Sequence, residues 1–265
     1  MLTRFEETRA EVQEATDGFI GMWSIFASAF PGADLMRQNG LAVTWPDVPF
    51  TLYNNVFQTE PIDDVSSLRN WVHFTASLMR KKPFPGMVIV CQELLRGAAL
   101  MRADAIFRSQ GFSIAIELTA MIKHVVPSPL LQRSSLKIER VKHGLDVTEL
   151  NCLAHGIPVD AGSKSMLPSE MWQNAFTYVG YEGGRAVTTA TTFVVGSCLY
   201  VALVATLPEA RRKGFATAVI KRSLSDASQA TGISRTLLHA TPTGRLVAAS
   251  LGYYPIAEYT CYVMR

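Results

Sequence analysis

The chain has few cysteines and no pattern among them that would bind a metal. Its 265 residues include four cysteines far apart in sequence, Cys91, Cys152, Cys198 and Cys261. They form no C-x-x-C pair, so we expect no zinc site. The start of the sequence, Met1–Glu7, lacks the apolar core of a signal peptide. We therefore expect a cytoplasmic protein with reduced, buried thiols.

The sequence also lacks long apolar runs and a strong excess of one charge. No run approaches the roughly 20 apolar residues that span a bilayer, so no membrane partner is expected. The net charge is only +3, and the one basic cluster, Arg211–Lys213, is too short for the several phosphate contacts of a nucleic-acid site. Hydrophobic residues make up 48% of the chain, which indicates a globular protein with one large domain or two modest ones.

One segment combines an apolar run with a feature typical of anion binding. Leu199–Ala205 has the composition of a strand, and after a short turn come three consecutive cations and Gly214, which opens a helical pattern. The first N–H groups of a helix have no partner within the helix, and the helix dipole adds positive charge there. This order predicts a site for a phosphate group at the start of the helix.

The three cations strengthen that prediction without excluding a simpler one. A cation at a helix N-terminus costs about 0.3–1 kcal/mol, so Arg211, Arg212 and Lys213 together favour a bound polyanion. The alternative is a basic turn on the surface whose side chains extend into water.

The same residues resemble the GNAT superfamily of acetyl-CoA-dependent N-acetyltransferases. Arg211-x-x-Gly214-x-Ala216 matches the Q/R-x-x-G-x-G/A signature, and Val204-Ala205-Thr206-x-Pro208-Glu209 precedes it as in many members. His239–Pro242 and Leu251-Gly252-Tyr253 follow at the spacing of the family's later strand and its LGF-like turn. The resemblance covers about Leu136 to Arg265.

The resemblance implies an α/β fold with a mixed sheet and acetyl-CoA as cosubstrate. Strand backbone would pair with the pantetheine arm, the start of the helix would hold the pyrophosphate, and the cations would face the phosphates. An N–H near Val204 would polarise the thioester carbonyl. The implied cofactor-binding residues are Val204, Ala205, Thr206, Arg211, Arg212, Lys213, Gly214, Phe215, Ala216 and Thr217.

The catalytic acid and base stay unassigned. Many family members carry a tyrosine four residues before the glycine of the LGF turn, and here that position is Ala248. The other side chains considered for acid–base chemistry are Glu182, His155, His239, Ser250, Tyr253 and Tyr254. A water chain to solvent is a further alternative.

The N-terminal half repeats much of the family's element order but lacks its phosphate loop. The segment Gln58–Asp64 places carboxylates where a pyrophosphate would bind. We expect a degenerate GNAT-like repeat without acetyl-CoA at 1–130 and the acetyltransferase domain at 131–265, joined by a linker at Pro127–Pro129. An unrelated α/β module is the alternative for the first half.

Two local expectations concern glycine and proline. We expect Gly18 and Gly21 to interrupt the first helical run, and we expect Pro158–Pro168 to form a loop able to face the substrate.

The leading hypothesis is an N-acetyltransferase acting on a primary amine. The alternative is a non-catalytic acyl-CoA-binding or regulatory module, which Ala248 and the degenerate first half favour. The acceptor is open among small amines, antibiotics, amino acids, peptide N-termini and protein lysines. The oligomeric state is open between monomer and homodimer.

Overall fold

Helices and strands alternate along the chain, as the change of hydrophobic period predicts. The computed structural model describes residues 4–127, 135–166 and 169–264. The described helices are α1 (Arg4–Ser28), α2 (Val65–Met79), α3 (Gly97–Ser109), α4 (Leu145–His155), α5 (Val159–Met166), α6 (Ser169–Gln173), α7 (Phe215–Thr231) and α8 (Pro242–Ser250). The described strands are β1 (Asp34–Gln38), β2 (Leu41–Trp45), β3 (Asn55–Gln58), β4 (Met87–Cys91), β5 (Phe112–Lys123), β6 (Lys137–Val141), β7 (Phe176–Glu182), β8 (Arg185–Val195), β9 (Cys198–Thr206), β10 (Thr236–Ala240) and β11 (Tyr254–Met264).

The chain divides into two units, and the last strand belongs with the first of them. Unit 1 comprises Met1–Ala120, Ala240–Pro242 and Pro255–Arg265, and unit 2 comprises Met121–His239 and Thr243–Tyr254. β11 is in unit 1 because it pairs antiparallel with β4 along Tyr259–Val263. Most of the predicted linker lies outside the described residues, and the domain boundary near residue 130 stays a prediction.

Unit 1 contains a mixed sheet. β1, β2 and β3 form an antiparallel meander, β3 runs parallel to β4, and β4 runs antiparallel to β11. α2 and α3 bury their apolar stripes against this sheet, and Phe107 stacks on Tyr262 with ring centroids 3.9 Å apart. The parallel β3–α2–β4 connection is the element that a GNAT-like repeat requires.

The first helix is continuous, so the prediction that glycines interrupt it was wrong. α1 runs from Arg4 to Ser28 through Gly18 and Gly21. A glycine in a helix costs about 1 kcal/mol, but burial of Phe19 and Phe26 on the inner face offsets that cost. Phe19 packs edge-to-face on Phe57 at 5.4 Å.

The strands of unit 2 are also mixed in direction. β6, β7, β8 and β9 are antiparallel neighbours, and β9 runs parallel to β10. α4 and α7 both pack on β8 and β9. The β9–α7–β10 connection repeats the parallel β3–α2–β4 connection of unit 1.

The segment after Pro158 is helical, which corrects the expectation of a loop. α5 occupies Val159–Met166, with Gly162 N–H donating to the Pro158 carbonyl at 3.2 Å. Gly162 is there for packing, since a Cβ would lie 2.2 Å from Cys152 Sγ. The absence of a side chain at Gly162 therefore lets α5 approach α4. No helix in the described part of the chain is long and apolar enough to cross a membrane.

Candidate functional site

The residues implied as the cofactor site lie together at the end of β9 and the start of α7. Val204–Thr206 are the last residues of β9, Arg211–Gly214 form the turn, and Phe215–Thr217 form the first turn of α7. A short 3₁₀ turn at Pro208–Ala210 separates strand and cations.

The N-terminus of α7 carries no side-chain cap. Gly214 occupies the cap position with φ 78°, and it has no side chain that could cap the helix. The first helical bond runs from Ala218 N–H to the Gly214 carbonyl at 3.1 Å, so the N–H groups of Phe215–Thr217 precede it. A Cβ built on Gly214 meets nothing within 4 Å. Main-chain donors and open space thus occur together, as an approaching phosphate requires.

A β-bulge interrupts β9 directly before the motif. The register pairs Thr189 with Ala205 and Thr191 with Ala202, so β9 has one more residue than β8 between these pairs. Leu203 lies within the bulge at φ 52°. A left-handed conformation costs a non-glycine residue about 1–2 kcal/mol, so this geometry must be held by its neighbours.

β9 also separates from its other neighbour near the bulge. The parallel register with β10 ends at the pair Val201–Leu238. Along these described strands, Leu203 and Val204 have no register partner on β8 or β10. Backbone freed in this way is available to an extended ligand arm.

Two of the three cations have partners within unit 2. Arg211 donates through Nε to the Thr206 carbonyl at 3.1 Å and through a terminal nitrogen to the Ala154 carbonyl at 3.3 Å. Lys213 forms an ion pair with Glu182. The three adjacent cations therefore do not by themselves require a bound polyanion, because protein groups already compensate two of them.

Two contacts that the sequence did not predict stabilise the end of β9 and the turn after it. The Thr188 hydroxyl donates to the Ala205 carbonyl at 3.0 Å and lies 2.8 Å from the Thr206 hydroxyl. Glu209 pairs with Arg185 at 2.9 Å, and hydrogen bonding to its own backbone followed by the nearby arginine lowers the pKa of its carboxyl. Glu209 therefore shapes the turn.

The side chains considered for acid–base chemistry occupy different environments. Ala248 is buried and accepts the Tyr253 N–H at 3.1 Å. Tyr253 is buried, which raises the pKa of its phenol strongly. Tyr254 is exposed and bonds His124, and the Ser250 hydroxyl donates to the Val247 carbonyl. None of these positions assigns an acid or a base.

The two histidines considered for catalysis differ in position. His155 is the last residue of α4, where partial burial and then the charge of Arg211 lower the pKa of its ring. His239 lies on β10, and its Nδ1 is 2.7 Å from the Tyr200 hydroxyl. Burial lowers the pKa of His239 to about 3, so this ring is neutral at physiological pH.

The corresponding positions of unit 1 are filled by the chain itself. After β3, Ile62 N–H donates to the Leu94 carbonyl at 2.8 Å, and Arg96 N–H donates to the Ile62 carbonyl at 3.1 Å. The Gln58 amide donates to Leu94 as well. Backbone groups next to the parallel strands are thus paired here with protein groups.

The helix start in unit 1 is also occupied. Asp64 caps α2 and accepts the Ser67 N–H at 2.9 Å, while the Ser66 and Ser67 hydroxyls bond the same carboxylate. These bonds, the Ser66 hydroxyl first, hold the pKa of Asp64 well below its usual range. A carboxylate therefore occupies the position at which α7 presents uncapped donors.

The remaining titratable groups form no further centre. The four cysteines are buried free thiols, and burial raises the pKa of Cys261 to about 12. Within the described ranges, no three His, Cys, Asp or Glu side chains are grouped to hold a metal ion.

Comparison with family models matches residues 147–253 to the Acetyltransferase (GNAT) family. The matched segment contains most of α4, the β9–α7 turn and α8. This part of the chain is a GNAT domain, as its motifs predicted. Comparison with curated proteins gives no match.

Solved structures with similar folds span nearly the whole chain. A GCN5-related N-acetyltransferase from Kribbella flavida has a TM-score of 0.69 at 14% identity, with 96% of this chain and 95% of that chain covered. A functionally unknown conserved protein from Staphylococcus epidermidis has a TM-score of 0.61 at 10% identity, covering 90% and 96%.

A tandem GNAT protein from the clavulanic acid biosynthesis pathway has a TM-score of 0.54 at 10% identity, with 94% of each chain covered. At these identities the similarity concerns the fold. The chain has a mixed α/β fold similar to that of these GNAT structures, and the degenerate repeat in the first half stays a prediction.

Proposed function

Because residues 147–253 form a GNAT-family domain, we propose that this protein transfers the acetyl group of acetyl-CoA to a primary amine. The finding that carries the proposal is the uncapped N-terminus of α7 directly after a bulged strand end. The family match supports acetyl-CoA as the donor. The start of α7 suits the phosphate end of this molecule, and the bulged end of β9 suits its acetyl end.

The start of α7 would hold the pyrophosphate. The N–H groups of Phe215, Ala216 and Thr217 precede the first helical bond, and Gly214 leaves open space in front of them. These donors and the helix dipole favour an anion. Arg212 is exposed and has a backbone φ of 64°. Its guanidinium adds positive charge to the same turn.

Arg211 and Lys213 would contribute by exchanging partners. Both are exposed, and their present partners are carbonyls and one carboxylate. An exposed ion pair is worth about 0.2–1 kcal/mol, so a phosphate bearing two charges can compete for these cations. The 3′-phosphate of the cofactor is such a group.

The bulged end of β9 would hold the thioester end of acetyl-CoA. Val204, Ala205 and Thr206 follow Leu203 on the side where β10 pairing has ended, and their backbone would pair with the pantetheine arm. The Val204 N–H would donate to the thioester carbonyl oxygen and stabilise negative charge there during attack.

The reaction itself exchanges one bond for another. The lone pair of a neutral amine attacks the thioester carbon, a C–N bond forms, and the C–S bond breaks. Coenzyme A leaves as a thiolate, the nitrogen loses a proton, and the thiolate gains one, so no net proton is released. The groups that carry this proton are unassigned because Ala248 occupies the usual tyrosine position.

Residues 1–130 are proposed to be the degenerate repeat and residues 131–265 the acetyltransferase domain. Asp64 at the start of α2 and the Ile62–Leu94 bond support the absence of a donor site in the first half. A cytoplasmic location, the acceptor amine and the choice between monomer and homodimer stay predictions.

The alternative is a non-catalytic acyl-CoA-binding module, which the buried Ala248 favours. Release of free coenzyme A from acetyl-CoA distinguishes the two. The protein is incubated with acetyl-CoA and a panel of primary amines, and thiol release is followed beside mass detection of the acetylated amine. Thiol and product formed in equal amounts support the enzyme. Binding of acetyl-CoA without amine-dependent turnover supports the module.

A further inference from the structure

Asn151 is a polar residue held inside unit 2. It lies in the middle of α4 with only 8% of its surface exposed. Its side-chain nitrogen donates to the Val147 carbonyl at 2.8 Å and to the Leu203 carbonyl at 3.4 Å. Both partners are acceptors, so the amide nitrogen rather than the amide oxygen must face them.

The second of these partners is the bulge residue of β9. Leu203 holds a positive φ of 52° at the point where β9 has one residue more than β8. A conformation of this kind persists only where the surrounding structure fixes it. Asn151 supplies a bond to the main chain of this residue from the neighbouring helix.

The same bond fixes the direction of a second group. The Leu203 carbonyl and the Val204 N–H belong to one planar trans peptide unit, in which C=O and N–H point in opposite directions. Because the carbonyl points toward Asn151, the Val204 N–H points away from α4. Donation to the carbonyl also polarises the peptide unit and makes its N–H a stronger donor.

We propose that Asn151 is a positioning residue that holds the Leu203–Val204 peptide so that the Val204 N–H donates to the thioester carbonyl of acetyl-CoA. The inference rests on the proposed function. As the amine attacks, the carbonyl electron pair moves to oxygen, and the pair returns when the C–S bond breaks. A fixed donor stabilises the charge between these events.

The carbonyl stretching frequency of bound acetyl-CoA tests the proposal without an acceptor. A hydrogen bond weakens the C=O bond, so acetyl-CoA labelled with ¹³C at the carbonyl should absorb at lower frequency on the wild-type protein than in solution. In Asn151→Ala we expect at least half of this shift to be lost. We expect the dissociation constant for acetyl-CoA to stay within about threefold, since the phosphates still bind α7.

Two further variants separate positioning from a general effect on the helix. Asn151→Ser keeps a bond to the Val147 carbonyl, because serine hydroxyls in helices bond the carbonyl four residues back, but it is too short for Leu203. It should lose the shift as Asn151→Ala does, and it replaces that variant if alanine prevents folding. Thr148→Val is the matched control, since the buried Thr148 hydroxyl has no hydrogen-bond partner among the described residues, and it should keep the full shift.

The outcomes are distinct. A full wild-type shift in Asn151→Ser, or no shift in a wild-type protein that binds acetyl-CoA, overturns the role of Asn151 and leaves the proposed function intact. A wild-type protein that does not bind acetyl-CoA overturns the proposed function itself. Loss of the shift in Asn151→Ser together with retention in Thr148→Val supports the assignment.

Discussion

The ammonium nitrogen of Lys213 lies 2.9 Å from a carboxylate oxygen of Glu182, so the β7–β8 hairpin holds a cation of the proposed phosphate site. The lysine also lies over the Phe215 ring, with the nitrogen 5.6 Å from the ring centroid. Both charged side chains are partly exposed, at 45% and 32%. The pair therefore tunes the charge of the turn more than it stabilises the fold.

Removing that carboxylate should strengthen cofactor binding. We expect Glu182→Gln to lower the dissociation constant for acetyl-CoA by about two- to fivefold at low salt, because Lys213 is then free to face a phosphate. The gain should shrink at high salt, where charges are screened. Calorimetry at two salt concentrations measures it. Glu139→Gln, which loses a carboxylate on β6, is the control and should leave affinity unchanged.

A charge at Gly214 should abolish binding. Any side chain there adopts φ 78° and costs about 1–2 kcal/mol of stability, but a Cβ meets nothing within 4 Å. Gly214→Glu and Gly214→Gln therefore carry the same strain and differ by one charge. We expect measurable acetyl-CoA binding to be lost in the first variant and to stay within about tenfold of wild type in the second. Equal affinities would mean that no phosphate lies at this turn.

The carboxylate of Asp64 should stabilise unit 1. We expect Asp64→Ala to lower Tm by about 2–4 °C at pH 7 through loss of the cap on α2. The pKa of Asp64 is lower in the folded than in the unfolded protein. Its contribution is therefore full above the unfolded value of about 4 and is lost as the pH falls toward the folded value.

Thermal melts between pH 7 and pH 2 check this, and the difference between the two proteins should shrink in acid. Asp63→Ala is the matched control, because Asp63 pairs with Arg96 on the surface and does not cap the helix. A Tm difference that stays constant down to pH 2 would contradict the account.

His239 should make stability fall in mild acid. The folded pKa of about 3 lies below the unfolded value of about 6.5, so between these values the unfolded chain binds a proton that the folded chain does not. Stability is full above pH 6.5 and decreases below it. Between pH 7.5 and pH 5 the free energy of unfolding should fall by about 1 kcal/mol less in His239→Gln than in wild type. Denaturant unfolding at the two pH values measures this difference.

Much of unit 2 could be predicted from sequence because its local patterns agree with one another. The strand over Leu199–Ala205 and the helix that opens at Gly214 both lie where their residues predicted. Turn glycines and β-branched runs act over a few residues, so they can be read locally.

The features that position the proposed chemistry could not be read in this way. Leucine rarely adopts positive φ, so nothing in the sequence marks Leu203 as a bulge. Asn151 and Leu203 are distant in sequence, and their contact depends on how α4 packs on β9. A buried asparagine in an apolar helical pattern was the available signal, since such residues require partners.

The pairing partner of the last strand could not be predicted from the sequence either. β11 lies within 131–265, the range expected for the acetyltransferase domain, yet Tyr259–Val263 pair with β4 in unit 1. Apolar strands carry little information about which neighbour they pair with, because pairing with any of several strands would bury them equally well.

Calorimetric titration of the full chain with acetyl-CoA, run beside dephospho-CoA, tests the proposed donor site at α7 most directly. We predict one site per chain with micromolar affinity and weaker binding when the 3′-phosphate is missing. Two sites per chain would show that unit 1 binds the cofactor despite Asp64. Absence of binding heat, together with failure to displace a bound CoA analogue, would contradict the claim that α7 forms a donor site.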